Sequence, residues 1–414
     1  MKKILITLLT IGLAINSCQL MAATPSISNA QSVKKVKLPA KKNKKYWNLM
    51  AEGMSQALID KFWGANFEGY ADRYYFNYGS NLSNMTTNHY WPQAHAMDVM
   101  VDAYLRSNKK QYLDMYSLWW DGAPRYNFSG RDEDPWWNVF VDDMEWMVLA
   151  QIRMFDSTGN IEYFKKARQM YDQWIWPTWG PEDEAPWYGG ITWKTDVEKS
   201  KNACSNGPAA LIAARLYRFF DKSGVSGGKA KEEYLTEAKK IFAWLKANLF
   251  NAETGAVYDN MSKSGKIQKN WIFTYNQGTF LGAAHELYNI TGDKQYLEDA
   301  KKAANYVIEQ MSKNRGALDN ATDGDGGLFH GIFFRYFVKL INEPTLDFDT
   351  RKKYHDYLTN LATIMADNGI NHNTMLYGGN WWKAPADDEN VQLTPHLSGC
   401  MLMEAMCVLK PLKK

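Results

Sequence analysis

The chain has few cysteines and lacks the cysteine and histidine patterns that bind metals. Its 414 residues contain four cysteines, and Cys18 lies in a segment with the features of an export signal. The odd number that remains excludes a full disulfide framework. Cys400 and Cys407 have the wrong spacing for a bridge within one helix. No CxxC motif and no zinc pair such as HExxH occurs, and we expect no metal and no other cofactor.

The chain also lacks a strong charge bias and a nucleotide-binding glycine loop. Its formal net charge is +3, and much of the basic excess lies in one run at positions 34–45. Basic runs can bind nucleic acid. Because this run directly follows an export signal, a solvated linker is the better interpretation. We therefore expect no nucleic acid partner.

The N-terminus has the layout of a signal peptide. Lys2 and Lys3 precede an apolar segment at positions 4–15, which is too short for a stable membrane span. Cys18 follows in INSC, which resembles a bacterial lipoprotein box and predicts lipidation of Cys18. Ordinary cleavage near positions 21–23 is the alternative. We predict a signal peptide at 1–18, a basic linker at 19–45, a folded domain at 46–414, and export to a bacterial cell envelope with membrane contact only through the lipid.

Aromatic residues, in contrast to cysteines, are abundant. They make up 14% of the chain, with 17 Trp, 24 Tyr and 18 Phe. Trp and Tyr present flat apolar faces with a polar group, which is what a sugar-binding cleft requires. An aromatic-rich helical core is the alternative, and composition alone leaves both open.

A weak internal repeat of helix pairs runs along the chain. In each unit a largely apolar helix precedes a short Gly or Asn turn and an amphipathic, Lys-rich helix, which predicts an inner and an outer helix. Few segments alternate with period two, and short strands are expected only around 187–193 and 256–273. The regular units are 91–116, 142–175, 206–245 and 275–308, and less regular ones lie at 46–79, where only a first helix is clear, at 328–369 and at 393–410.

The spacing of the units favours a closed ring over an open solenoid. Solenoid repeats have short, uniform loops, whereas long irregular loops precede the inner helices here. Such loops gathered on one face indicate a site. Six pairs predict an all-α (α/α)6 barrel, a toroid of six inner and six outer helices. A closed barrel needs no partner, so we expect a monomer.

Two adjacent aspartates, Asp142 and Asp143, begin one inner helix within the aromatic stretch WWNVFVDDMEW. A helix cap followed by a second acid near the positive helix end would explain one of them. Glycoside hydrolysis would explain both, since it needs one ionised and one protonated carboxyl group. Proximity favours such a split, because ionisation of one acid raises the pKa of the other. A second pair, Asp387 and Asp388, lies in a polar stretch and is assigned to the surface.

The segment VDDMEWMVLA at 141–150 resembles the catalytic signature of glycoside hydrolase family 76, the α-1,6-mannanases and related transglycosylases. The resemblance covers about 46–410 and implies an (α/α)6 barrel and a retaining, usually endo-acting hydrolase of α-1,6-linked mannose. It also implies that Asp142 is the nucleophile and Asp143 the general acid/base. His330 stands where a lysine is commoner, which leaves its role open. Further matching segments are WPQAHAMDVMVDAY, GGITWK, KNACSNGPAALIAARLY, TYNQGTFLGAAHELYNITGDKQYLEDA and GLFHGIFFRYF.

Other cleft candidates follow from loop position and side-chain chemistry. Amides can bind vicinal hydroxyls, although Asn276 could equally cap its helix. The aspartates at 319, 323 and 325 resemble a calcium loop only loosely, and we assign them to a polar loop at the rim. The predicted substrate-binding residues are Tyr275, Asn276, Gln277, Trp193, Tyr188, Asn202, Asn206, Trp91 and Trp137.

Four other functions are compatible with parts of this pattern. A transglycosylase or an exo-acting enzyme could use the same scaffold, and a glycan-binding lipoprotein could retain the aromatic loops without catalysis. The intact aspartate pair argues against the last. A hydrolase of unsaturated uronides would need a basic cleft, and arginine is not concentrated in the loops. The expected partner is therefore an α-mannan polysaccharide or oligosaccharide.

Overall fold

The computed structural model of the protein describes residues 38–66, 73–77, 90–127, 129–186, 188–195 and 200–413. The predicted signal peptide, Cys18 and most of the predicted basic linker lie outside the described residues. Within those ranges, no helix combines the length and the hydropathy that a membrane span requires.

Twelve α-helices make up most of the described chain. They alternate along the sequence between helices whose faces are almost entirely buried and helices with one solvated face. The helices are α1 (Lys44–Phe62), α2 (Trp91–Ser107), α3 (Lys110–Gly122), α4 (Val141–Thr158), α5 (Ile161–Met170), α6 (Ala203–Ser223), α7 (Lys231–Leu249), α8 (Thr274–Thr291), α9 (Lys294–Tyr306), α10 (Phe329–Ile341), α11 (Phe348–Ile364) and α12 (Leu393–Val408).

The even-numbered helices form a closed inner ring. Each contacts the next in the order α2, α4, α6, α8, α10 and α12, and α12 returns to α2. Each odd-numbered helix packs outside against an inner one, so the predicted (α/α)6 barrel is confirmed. The prediction did not place α1 correctly as a unit's first helix, because it is an outer helix that pairs with α12. The outer helix α1 at the start of the domain and the inner helix α12 at its end thus form the sixth pair.

Short turns with specific caps connect the helices of a pair. Gly159 and Gly292 end α4 and α8 with positive φ angles of 73° and 72°, a conformation that favours glycine. The side chains of Asn160 and Asp293 then accept a backbone N–H bond at the start of α5 and α9, which satisfies one free donor of each helix. The TGN and TGD turns of the sequence therefore set the antiparallel pairing.

Short irregular elements complete the fold. Strands β1 (Lys201–Asn202) and β2 (Asn260–Met261) pair antiparallel, and β2 lies in the predicted 256–273 region. Ile191, in the predicted 187–193 region, forms one bridge with Trp179. Three π-helical turns prolong α5, α9 and α11, and five 3-10 turns lie in loops: Tyr171–Ile175, Val307–Met311 and Met365–Gly369, then Gly64–Asn66, Ala123–Tyr126, Trp176–Thr178, Asn314–Gly316 and Gly324–Gly327.

The core accounts for much of the aromatic content. Trp63, Trp119 and Trp381 are fully buried, together with many tyrosines and phenylalanines. Asp387 and Asp388 are exposed, as predicted. Because inner and outer helices are antiparallel, the inner helices share one direction, and their N-termini meet at one end of the barrel.

Candidate active site

A cavity of about 890 Å³ opens where the N-terminal ends of the inner helices meet. The inner helices supply its floor, and the long loops before them supply its walls. The helix residues at the cavity are Trp91, Asp142, Asp143, Trp146, Cys204, Tyr275 and Phe329, and the loop residues include Phe140, Trp193, Asn202, Asp259, Gln268, Trp271, Phe273 and Asp325.

Asp142 lies in the first turn of α4, where several donors face its carboxyl group. Trp193 Nε1 donates to Asp142 Oδ2 at 3.2 Å, and the nearby Cys204 thiol and the N–H groups of Asp142 and Asp143 also lower the pKa of Asp142. These donors and the positive helix end stabilise a carboxylate. Burial has the larger, opposite effect and raises the pKa of Asp142 to about 6. Asp142 is therefore largely ionised at neutral pH.

Asp143 has a less favourable environment for a negative charge. Its side chain is buried, with 9% of the residue exposed. Burial raises the pKa of Asp143 well above its ordinary value, and the negative charges of Asp142 and Asp325 raise it further. The two neighbours therefore titrate in sequence, with Asp142 ionised while Asp143 keeps its proton.

The loop that carries Trp193 is attached to the start of α4. Val141 N–H donates to the carbonyl oxygen of Trp193 at 2.9 Å, and Phe140 and Lys194 form a β-bridge. The Phe140 and Trp193 rings lie 5.1 Å apart, centroid to centroid. This attachment satisfies a free helix donor and fixes the indole above Asp142.

Asp325 belongs to the cleft, although the sequence placed it only in a polar loop at the rim. Trp91 Nε1 donates to Asp325 Oδ1 at 3.0 Å, and Gly324 N–H donates to Gln392 Oε1 at 2.6 Å. These bonds tie the loop to α2 and to the start of α12. The loop thereby brings a third carboxyl group towards the aspartate pair.

Asp259 is a fourth acid at the cleft, and no motif in the sequence identified it. It accepts hydrogen bonds from Asn276 Nδ2 at 2.9 Å and from the Tyr275 hydroxyl at 3.3 Å. The Cys204 thiol lies next to both Tyr275 and Asp142 at the floor of the cleft. Asp259 therefore holds Tyr275 and Asn276 in place beside the aspartate pair.

Aromatic rings line the cleft around the acids. Tyr275 stacks on Phe329 with ring centroids 4.1 Å apart, and Trp271 at the mouth is 53% exposed. Asn202 lies in the wall, and its side-chain oxygen has no hydrogen-bond partner among the described residues. Flat apolar faces beside polar side chains suit a sugar ring and its hydroxyls.

The structure brings Trp91, Asp142, Asp143, Trp193, Asn202 and Tyr275 together at the cleft, whereas five other predicted residues are not among its lining side chains. Asn206 is buried and bonds to the backbone of Ile191. Asn276 is neither a cap nor a cleft residue, since its amide binds Asp259. In both residues the side-chain amide N–H groups are used in hydrogen bonds within the protein. Of the rest, Gln277 bonds to Gly255 O and Val257 N, Tyr188 is 59% exposed, and Trp137 lies 3.5 Å beneath the Arg131 guanidinium.

His330 links two inner helices and a loop. Its Nδ1 lies 2.9 Å from Thr274 Oγ1, and its Nε2 lies 3.0 Å from the carbonyl oxygen of Asp319. Both ring nitrogens are thereby used, so His330 positions the starts of α8 and α10. In the described ranges, no group of three or more His, Cys, Asp or Glu residues could hold a metal ion.

Comparisons with known proteins agree with this geometry. The profile of glycosyl hydrolase family 76 matches residues 46–414. The α-1,6-mannanase GH76A of Salegentibacter sp. HEL1_6 is 35% identical, with a TM-score of 0.77, over 88% of this chain and 100% of its own. An inactive variant of that mannanase, with two consecutive aspartates replaced by alanine, forms a complex with α-1,6-mannotetrose. It is 34% identical, with a TM-score of 0.77, over 88% and 99% of the two chains.

Curated relatives match over shorter stretches. The mannan endo-1,6-alpha-mannosidase DCW1 of Saccharomyces cerevisiae is 33% identical over 125 residues, which are 28% of this chain and 26% of the relative. Its counterpart in Candida glabrata is 24% identical over 253 residues, which are 53% and 50% of the two chains. The chain therefore spans about a quarter to a half of the length of these relatives.

Proposed function

The chain belongs to glycosyl hydrolase family 76, and from this premise we propose that it is a retaining, endo-acting α-1,6-mannanase. The observation that carries the proposal is the pair Asp142 and Asp143, which titrate in sequence, at the floor of an aromatic cleft. The bacterial relative whose paired aspartates were replaced binds an α-1,6-linked tetrasaccharide, which supports mannan as the substrate.

The proposed reaction has two steps. Asp142 attacks the anomeric carbon of a mannosyl unit, while Asp143 gives its proton to the glycosidic oxygen and the leaving chain departs. Asp143, now ionised, then removes a proton from a water molecule that attacks the same carbon. Asp142 is released, and two inversions leave the α configuration unchanged. Trp193 Nε1, the Cys204 thiol and the helix N-terminus support Asp142 as the nucleophile, because they stabilise its charge whenever it is free.

Digestion of linear α-1,6-mannan tests the proposal. We expect a ladder of α-1,6-mannooligosaccharides that shortens with time, and no cleavage of β-1,4-mannan as the matched control. A single small product from the start would contradict endo action, and products longer than the substrate would favour a transglycosylase. Binding of mannan without shortening would favour the glycan-binding alternative.

The pH profile of kcat/KM should be bell-shaped. Because the pKa of Asp142 is about 6, activity is expected to fall about tenfold per unit below that pH as the nucleophile is protonated. The alkaline limb follows ionisation of Asp143. Asp325→Asn removes one of the charges that raise the pKa of Asp143, so it should move the alkaline limb to lower pH and leave the acid limb in place. A shift of the acid limb alone would contradict the assignment.

We further propose that the protein is exported and lipid-anchored through Cys18. The layout of residues 1–18 and the INSC sequence support this. Cys18→Ser should move the protein from the membrane fraction to the soluble fraction of the native host at unchanged specific activity. An unchanged distribution would support ordinary cleavage near positions 21–23 instead.

A further inference from the structure

A second cavity of about 660 Å³ lies at the opposite end of the barrel. The C-terminal parts of α2, α4, α6, α10 and α12 line it, for example at Arg153 on α4 and Arg335 on α10. Asp143 and Arg153 are ten residues apart on one helix, so the two cavities are separated by about 15 Å of helix. The proposed catalytic mechanism uses no group in this second cavity.

Basic side chains outnumber acidic ones in the lining of this cavity. Eight basic and only three acidic side chains line it. One of the acids, Glu404, accepts hydrogen bonds from Arg106 Nε at both carboxylate oxygens, and burial raises its pKa above the ordinary value. The negative ends of the inner helices attract basic side chains. That attraction explains why basic side chains gather at this end of the barrel. It does not explain why some of their N–H donors have no hydrogen-bond partner.

Several buried guanidinium groups at this cavity have donors without partners. Arg335 is 7% exposed and Arg215 is 2% exposed. Among the described residues, Arg335 Nε and Nη2 and Arg215 Nε have no hydrogen-bond partner, and the nearest acids stand off at 3.6 Å (Asp98) and 3.7 Å (Glu286). Unpaired buried donors cost free energy, which an oxyanion would recover.

Lys339 reaches into the same cavity from α10. Its side chain is exposed there, and it makes no hydrogen bond or ion pair with the described residues. The cavity walls replace part of its hydration, and the charges of Arg215, Arg153 and Arg218 add repulsion, so the pKa of Lys339 lies well below its ordinary value. An incoming anion would relieve this repulsion.

We propose that this arginine-lined cavity binds a small phosphate-bearing anion, held by Lys339 and the guanidinium groups of Arg215, Arg218 and Arg335. A phosphate group offers three or more oxygens and close to two negative charges. Guanidinium forks match that geometry, and a single carboxylate would leave donors unpaired. The phosphate could be soluble or part of a lipid headgroup, and both present the same chemistry.

Calorimetric titration with inorganic phosphate, at pH 7 and constant ionic strength, tests the proposal. We expect one saturable site in the full chain, at least tenfold weakened in Lys339→Met and in Arg218→Gln. Lys239→Met is the matched control, because Lys239 is an exposed lysine on α7 outside the cavity, and it should bind phosphate like the wild type. Lys339→Met should digest mannan at the wild-type rate, so the result is independent of the proposed hydrolase function.

Absence of saturable binding in the wild type would overturn the proposal, and so would equal affinity in Lys339→Met and the wild type. Sedimentation of the Cys18→Ser chain with phosphatidic acid vesicles distinguishes the two sources. Retention that free phosphate competes away and that Lys339→Met abolishes identifies a lipid headgroup. Phosphate binding without vesicle retention identifies a soluble phosphate.

Discussion

Asp142→Asn and Asp143→Asn should each lower kcat on α-1,6-mannan by roughly 10³-fold or more. Asparagine has the shape of aspartate, but it can neither form the glycosyl ester nor donate the proton. The substitutions therefore remove chemistry while the barrel stays folded. Initial rates of reducing-end release measure the loss. Asp387→Asn and Asp388→Asn supply the matched control, because this second pair of adjacent aspartates is exposed and should retain full activity.

An activated substrate separates the two roles. An aryl mannoside with a leaving group such as dinitrophenolate needs no proton to depart. Asp143→Asn should therefore form the glycosyl-enzyme quickly with this substrate, and release of the phenolate should show a burst. Asp142→Asn should show none. The opposite pattern would reverse the assignment of nucleophile and acid.

Asp142→Asn should also stabilise the fold at alkaline pH. The pKa of Asp142 in the folded protein, about 6, exceeds the unfolded value of about 3.9. Ionisation of Asp142 therefore does not lower the unfolding free energy below about pH 4. The loss of unfolding free energy grows as the pH rises to about 6, towards about 3 kcal/mol. Asp142→Asn should unfold at a higher temperature than the wild type at pH 8 and at a similar one at pH 4. A lower melting temperature at pH 8 would contradict this electrostatic account.

The second large effect is expected at the buried ion pairs that join α2, α4 and α10. Arg153 Nη1 donates to Asp98 Oδ1 at 2.7 Å, and Arg335 Nη1 donates to Asp102 Oδ2 at 2.7 Å. Asp98 is 4% exposed. Asp98→Ala would leave two buried guanidinium groups undercompensated and should cost about 3–5 kcal/mol of unfolding free energy. Urea denaturation at pH 7 measures the loss.

The control for Asp98 is Asp156→Ala. Asp156 pairs with Lys222 at 2.7 Å on the surface, with both side chains nearly half exposed, and its loss should cost under about 1 kcal/mol. The arginines hold the pKa of Asp98 well below its ordinary value against burial. Its contribution is therefore complete above about pH 4 and is lost as the pH falls towards the folded pKa. The difference in unfolding free energy between Asp98→Ala and the wild type should therefore become smaller at pH 2–3. A difference that does not depend on pH would contradict this.

Local patterns predicted the barrel and the aspartate pair because the residues that indicate each of them lie close together in the sequence. Helix periodicity and short Gly or Asn turns identify the helix pairs, and Asp142 and Asp143 are neighbours. Asp259 and Asp325 reach the cleft from separate loops that only the tertiary fold brings together. The exposed Trp271 also lies in such a loop, and nothing in its local sequence distinguishes it from the many core tryptophans.

The prediction for Tyr275, Asn276 and Gln277 shows another limit. Their position at a helix start correctly indicated the cleft end of the barrel. Successive helical residues, however, point about 100° apart. Only Tyr275 lines the cleft, while Asn276 binds Asp259 and Gln277 binds the backbone at residues 255 and 257. Sequence position gave the correct end of the barrel, and the direction of each side chain required the structure.

The configuration of the first product tests the central claim most directly. Proton NMR during the first minutes of α-1,6-mannan cleavage distinguishes α from β reducing ends before they equilibrate. A double displacement through Asp142, with Asp143 as acid and base, predicts that the α anomer forms first and the β anomer appears later by mutarotation. Initial formation of the β anomer would contradict the account.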